Sequence, residues 1–317
     1  MNEQSYVGRL APSPTGAQHV GNARTYLIAW LAARSRGGRV VLRMEDIDSP
    51  RIKPGSAEQA IADLRWLGLD WDEGPIVQTQ RLPLYEAALR QLQAKELVYP
   101  CTCSRKDVEL AASAPHLEHE APAYPGTCAG RSVRDAAFLN QPYCWRFRVG
   151  SQSPAFVDGF RGPTRVDSRQ VGGDFVVWKS CATPAYQLAV VVDDAVQGIT
   201  EVIRGDDLVA STPRQLLLYQ ELGLKPPRFT HVPLVVGVDG RRLAKRHGDT
   251  RLSSLRAAGV RSEMLIGLLA WSCGWLENLE VITARELVRL FHLEQISTRS
   301  FALTPQLLQQ IGYFTTN

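Results

Sequence analysis

Two glycine-bearing turns, one with a histidine and one with a lysine, carry the residues whose types and spacing suit phosphate chemistry. The first is Arg9-Leu10-Ala11-Pro12-Ser13-Pro14-Thr15-Gly16, followed at once by His19-Val20-Gly21-Asn22. Apolar Tyr6, Val7 and Leu10 predict a short strand before it, and its Pro and Gly residues exclude immediate continuation as helix. Asn22 is read as the cap of an apolar-periodic helix over Tyr26 to Ala33. A strand feeding a helix N-terminus through such a turn makes an anion site, because the first N–H groups lack internal partners and the macrodipole favours negative charge. His19 is placed to donate a hydrogen bond to a phosphate there.

The second turn is the basic loop Arg241-Arg242-Leu243-Ala244-Lys245-Arg246-His247-Gly248, after the apolar run Val232 to Val238. A charge cluster of this kind is usually a solvated hairpin tip. Here it follows a strand expected in a second half of the sheet, which gives it another use. In-line displacement at phosphorus asks for positioned charge on the phosphate oxygens and needs little covalent help. His19, the helix end at Gly21 and Asn22, and Lys245 can supply that charge.

A third group is Cys101-Thr102-Cys103 with Tyr124-Pro125-Gly126-Thr127-Cys128. Soft thiolates favour zinc, and three close cysteines plus one oxygen or nitrogen donor complete a tetrahedral site. Tyr124, His116 and His119 all remain open as the fourth donor on spacing alone. Cys144, Cys181 and Cys273 stand apart and are read as core thiols. Glu45 ends the predicted strand Arg39 to Arg43, where a carboxylate can hold an ammonium group. Arg9 and Arg204 can form charge-assisted bonds to a carboxylate. Taken singly, each arginine could equally be a surface ion pair, and Tyr186 a core ring.

The elements that must position these groups follow from periodicity. Ser56 and Gln59 predict a capping box opening a helix through Leu67, so the order is β-α-β-α and the sheet parallel. Leu82 to Leu92 is helical, and Leu97 to Tyr99 extended. Alternating segments between Tyr143 and Val177 predict inserted antiparallel strands. The continuous run Leu188 to Val192 predicts a central parallel strand. Thr212-Pro213 opens a helix to Leu222, and the chain from Leu252 on is mostly helical, with starts at Thr283 and Thr304. The 317 residues suffice for two domains, or for one with a large insertion. Lys and Arg exceed Asp and Glu by 36 to 32, so a nucleic-acid partner must be met by a local basic surface. Neither a signal peptide nor a membrane span is visible, so a cytoplasmic protein is expected, and six cysteines without a secretion signal argue against a disulfide framework.

Together the first turn and the basic loop resemble the HIGH and KMSKS signatures of class I aminoacyl-tRNA synthetases, in the glutamyl and glutaminyl branch. Ala244 departs from the serine common there, while Lys245 keeps the second lysine. Tyr186 to Asp194 and Gly198 to Asp207 are similar to further blocks of that branch. The resemblance implies that Arg9, Ala11, Ser13, Glu45, Tyr186 and Arg204 bind L-glutamate. It implies that His19, Gly21, Asn22 and Lys245 bind ATP, accompanied by Mg2+, with His19 and Lys245 catalytic. It also implies one structural Zn2+ on Cys101, Cys103, Tyr124 and Cys128.

The expected architecture is α/β, a Rossmann-type parallel-sheet catalytic domain in two halves, 1–100 and 186–250. A zinc-containing, acceptor-binding α+β insertion occupies 101–185, and a small helical stem-contact-like domain 251–317. The chain runs about seventy residues past Lys245, less than the anticodon-binding region of full-length glutamyl enzymes. Val190 stands where those enzymes commonly have Asn and the small glutamyl-queuosine branch has Val. The expected reaction therefore transfers glutamate to queuosine in the anticodon loop of tRNA(Asp), by a monomer. A compact or split enzyme charging tRNA(Glu), a small-molecule adenylate former, and a non-catalytic regulator that binds tRNA or a metabolite are the alternatives.

Overall fold

Val7, Leu10, Val40, Val41 and Leu42 are buried, and the two strands they form start the fold. The computed structural model describes residues 5–47, 52–104, 106–108, 124–150, 154–166, 172–243 and 249–314. Strand β1 (Val7–Leu10) leads through the first turn to helix α1 (Val20–Arg34). Strand β2 (Arg39–Met44), helix α2 (Ser56–Trp66) and strand β3 (Glu73–Val77) follow. Both strand pairs, β1 with β2 and β2 with β3, are parallel, as the β-α-β-α order requires. The capping box at Ser56 does not form. Gly55, at φ 79°, takes the cap position and its carbonyl accepts from the Gln59 N–H at 2.9 Å. Ser56 is thus already helical, and the Gln59 amide turns to Asp63 at 2.7 Å.

Helix α3 (Leu82–Ala94) and strands β4 (Val98–Cys101), β5 (Cys144–Phe147), β6 (Ala155–Asp158), β7 (Gly162–Arg165) and β8 (Phe175–Trp178) come next. Antiparallel pairing of β4 with β5, β5 with β8, and β6 with β7 bears out the inserted strands. The following segment corrects the sequence expectation. Leu188 to Val192 lies in helix α4 (Tyr186–Val196), not in a parallel strand. Burial all round makes a helix as apolar as a central strand, so the run itself does not discriminate. What requires the helix is Asp193. Its carboxylate, fully buried, accepts from Gln78 Nε2, Arg81 Nε and Tyr85 Oη, each at 2.8 Å, at the start of α3 and just before it.

The second sheet half is built instead by β9 (Glu201–Gly205) and β10 (Arg228–Val232), which pair in parallel. Between them runs α5 (Ser211–Leu222), two residues longer at its start than the Thr212 cap and Pro213 start predict. Ala210 takes its cap position without a side-chain bond, Thr212 is fully buried, and Pro213 keeps its first-turn place. Short strand β11 (Val235–Val236) precedes helices α6 (Leu252–Ala257), α7 (Ser262–Ser272) and α8 (Ala284–Leu287). Strand β12 (Phe301–Ala302) and helix α9 (Pro305–Gln310) close the described chain. The Thr283 and Thr304 caps form as expected, at 3.3 and 3.2 Å from their N–H donors.

Contacts gather these elements into two units, one of residues 1–77, 199–208 and 228–317, the other of 78–198 and 209–227. The expected boundaries at 100, 185 and 250 fall inside these units. In the first unit, the Thr200 N–H donates to Val7 O at 2.9 Å, and the Val7 N–H donates to Thr200 Oγ1 at 2.9 Å. These bonds set the β9–β10 pair beside β1. Strands then run β3, β2, β1 on one side and β9, β10 on the other. The C-terminal end of β1 is therefore the point where the order reverses, the place where open α/β sheets bind ligands. Residues past 251 belong to this unit. Buried Arg24 of α1 donates to Pro233 O at 2.8 Å and to Ser272 Oγ of α7 at 3.0 Å, and β12 pairs with β11. No helix among the described residues is long and apolar enough to cross a membrane.

Candidate active site

His19, not Asn22, caps α1. Its Nδ1 accepts from the N–H groups of Gly21 at 3.1 Å and Asn22 at 3.4 Å, and Asn22 Oδ1 accepts from the His19 N–H at 3.1 Å. The result is a capping box with an imidazole in the place usually taken by a hydroxyl or carboxylate. Gly21 makes room for it, since a Cβ there would meet His19 Cε1 at 2.9 Å. The remaining first-turn donors are also engaged, Val20 N–H with Thr250 O and Ala23 N–H with His19 O, both at 3.0 Å. This corrects the picture of bare helix N–H groups facing a phosphate. Because Nδ1 accepts, the ring proton sits on Nε2, and the helix end acts through that one donor.

Burial first, then the charge of Arg242, lowers His19 from 6.5 to about 4, so the ring is neutral at ordinary pH. A base whose folded pKa lies below its unfolded value binds fewer protons when folded, so stability rises with pH between the two. The contribution is complete above 6.5 and lost as the pH falls toward about 4. Denaturation midpoints should therefore drop more steeply over that interval in the parent than in His19→Asn, which keeps a capping oxygen. Equal slopes would show that His19 titrates normally.

The basic loop returns to this histidine. At its near end, Arg242 bridges to Val236 across a hairpin and pairs with Asp207 at 3.1 Å. At its far end, Arg251 bridges to His19, and the Leu252 N–H donates to Gln18 O at 2.9 Å. Ala244, Lys245, Arg246, His247 and Gly248 lie outside the described residues. Their flanks, however, place both ends of the loop next to the first turn.

The same turn is braced by residues that the sequence reading missed. Buried Gln18 donates to Ser13 O at 3.2 Å and accepts from the Tyr26 hydroxyl at 2.8 Å. The Glu45 N–H donates to Pro12 O at 3.0 Å, joining the end of β2 to the motif. Arg43, fully buried, holds Glu45 Oε1 through Nη2 at 3.1 Å. Burial and then the Glu45 charge push the Tyr26 phenol up, while Arg9 works in the opposite sense. Arg9 itself donates to Ile203 O at 3.0 Å across the strand junction. On β9, Arg204 is almost fully buried and donates to His231. Arg9, Ala11, Ser13, Glu45 and Arg204 thus all belong to the first unit, around the end of β1. Tyr186 opens α4 in the second unit. A buried glutamine two residues past a glycine, or a histidine one residue before the end of a strand, carries no local signal of such work.

In the second unit the cysteine group assembles. The sulfurs of Cys101, Cys103 and Cys128 lie within 4.8 Å of one another. The Tyr124 hydroxyl is 3.3 Å from Cys101 Sγ and 3.9 Å from Cys103 Sγ, while the Cys103 and Cys128 sulfurs are 3.7 Å apart. Tetrahedral zinc sets thiolates roughly 3.8 Å apart and an oxygen ligand roughly 3.5 Å from each sulfur. The donor set fits that ion. A bond from Cys144 is the largest influence lowering the Cys101 thiol to about 4, with Tyr124 and Arg146 adding to it. Cys144 is therefore not an isolated core thiol, and Cys181 is exposed. Cys273 is buried as expected. His116 and His119 lie outside the described residues.

The family described as tRNA synthetases class I (E and Q), catalytic domain, matches residues 6–310. A relative named Glutamyl-Q tRNA(Asp) synthetase from Rhodopirellula baltica is 51% identical over 303 residues, covering 92% of this chain and 92% of the relative. A relative named glutamate–tRNA ligase from Geobacter sulfurreducens is 39% identical over 309 residues, covering 96% of this chain and 65% of the relative. Among solved structures, a glutamate-tRNA synthetase from Elizabethkingia anophelis matches with a TM-score of 0.82 at 26% identity, over 97% of this chain and 70% of that one.

Proposed function

The chain belongs to the class I tRNA synthetase catalytic-domain family of glutamate and glutamine, and we propose that it activates L-glutamate with ATP and transfers it to queuosine in tRNA(Asp). It is a ligase of the aminoacyl-tRNA synthetase type. The observation that carries the choice of acceptor is its similarity to a glutamyl-Q tRNA(Asp) synthetase at 51% identity, spanning 92% of each chain. The glutamate–tRNA ligase relative is less similar, at 39% identity, which favours tRNA(Glu) less.

In the first step a carboxylate oxygen of glutamate attacks the α-phosphorus of ATP, and the bond to the departing pyrophosphate breaks. His19 Nε2–H gives a neutral, fixed donor for a phosphate oxygen, and Lys245 brings positive charge from the loop whose ends flank it. Mg2+ bound to ATP would supply further charge neutralisation on the phosphates. Gly21 and Asn22 act mainly by holding the His19 ring. Arg9 and Arg204 receive the side-chain carboxylate and Glu45 the ammonium group, and Ala11, Ser13 and Tyr186 are assigned to glutamate binding as well. In the second step a queuosine hydroxyl attacks the acyl carbon and AMP leaves. Residues 251–317 serve as the stem-contact-like part.

Glutamate-dependent exchange of pyrophosphate into ATP without any tRNA is the expected result, with glutamine far poorer as a substrate. Exchange that appears only on addition of tRNA(Glu) would support a compact charging enzyme instead.

One zinc ion on Cys101, Cys103, Tyr124 and Cys128 fills all four positions with protein, so its role is structural. Metal analysis should find one equivalent in the parent and little in Cys103→Ser. Full retention by Tyr124→Phe would move the fourth position to another donor.

A further inference from the structure

His231 stands opposite Arg204 in the parallel register of β10 and β9, which turns both side chains to one face of the sheet. Arg204 Nε donates to His231 Nε2 at 3.0 Å, and His231 is fully buried. A guanidinium has only donors, so Nε2 must offer its lone pair. The imidazole is therefore neutral, with its proton on Nδ1. Phe229, two residues earlier on the same strand, adds a second constraint. The Arg204 guanidinium lies 5.1 Å from its ring centre, and the His231 ring is nearly parallel to it at 6.4 Å. Arg204 Nη2 is 3.4 Å from Leu208 O.

We propose that His231 is a positioning residue that fixes the rotation of the Arg204 guanidinium for the side-chain carboxylate of the amino-acid substrate. The inference rests on the reading of Arg204 as part of the glutamate pocket. An arginine has a long, rotatable stem, and its value to a carboxylate depends on where its planar fork faces. The acceptor at His231 engages the side edge of the fork and the Phe229 face sets its plane. A substrate carboxylate then meets the Nη end, without first having to order the cation. Discrimination against glutamine follows, because a fixed guanidinium cannot turn to accommodate a neutral amide.

The test compares the parent with His231→Leu, His231→Gln and Arg204→Ala in pyrophosphate exchange, varying glutamate and ATP separately. His231→Leu should raise KM for glutamate about tenfold or more, the scale of a hydrogen bond to a charged group. KM for ATP and kcat should stay within about twofold, as expected when uniform substrate binding is lost. The amide oxygen of His231→Gln can occupy the place of Nε2 and should restore most of the glutamate KM. Nitrogen-15 spectra of the histidine ring should show Nδ1 protonated and Nε2 bare. An unchanged glutamate KM in His231→Leu, equal rises for glutamate and ATP, no rescue by glutamine, or a proton on Nε2 would each overturn the proposal. An enzyme that activates no glutamate, or Arg204→Ala at the parental KM, would instead overturn the pocket reading beneath it.

Discussion

Labelled glutamate, incubated with ATP and this enzyme, should appear on tRNA(Asp) that carries queuosine and remain there after the terminal 3′ nucleotides are trimmed away. The same tRNA lacking queuosine should take up none. The expectation rests on similarity to a glutamyl-Q tRNA(Asp) synthetase along 92% of each chain. Val190, the residue that the resemblance to the small glutamyl-queuosine branch singles out, is buried within α4. The proposed nucleophile is one hydroxyl of a vicinal diol, so mild periodate treatment should abolish transfer. The 3′ ribose is a vicinal diol too, which is why trimming must accompany the oxidation. Label confined to the terminal adenosine of tRNA(Glu) would make the chain a compact charging enzyme and sink the queuosine assignment.

Much of this site is legible in the sequence because its parts are local. Arg9 to Asn22 is one continuous strand-turn-helix, and its Pro and Gly residues mark the turn wherever the rest of the chain lies. The cysteine group is likewise announced by two short segments. What escaped depends on contacts distant in sequence. Nothing near Leu188 to Val192 says helix. The deciding bonds come from Gln78, Arg81 and Tyr85, more than a hundred residues away, to a buried Asp193. The β-branched run misled because burial on all sides erases the periodicity that separates helix from strand. The cap of α1 is His19 and not Asn22, one turn earlier than the sequence suggests, for another reason. Asn is the common cap and His an uncommon one, yet the imidazole Nδ1 accepts the same N–H groups once Gly21 clears space. His231 and Gln18 left no trace, since their work is to orient other groups.

His19→Asn should separate the two jobs that one ring performs. The asparagine oxygen can accept from the N–H groups of Gly21 and Asn22, as cap residues of this type commonly do, so α1 keeps its N-terminus and its thermal midpoint. The shorter amide has no N–H where Nε2 stands, so the phosphate donor is lost. Pyrophosphate exchange should fall roughly a hundredfold or more, the scale of removing one preorganised donor to transition-state charge. KM for glutamate should change little, because Arg9, Glu45 and Arg204, which take its charged groups in this reading, are untouched by the substitution. Lys245→Ala should fall by a similar factor with the same unchanged glutamate KM, since its charge serves the same oxygens from the loop. Because His19 is already neutral, no limb of the parental rate profile between pH 5.5 and 8 should come from it; the profile of a slow His19→Asn should therefore keep the parental shape. Parental exchange rates in His19→Asn would mean that the histidine is a helix cap and nothing more.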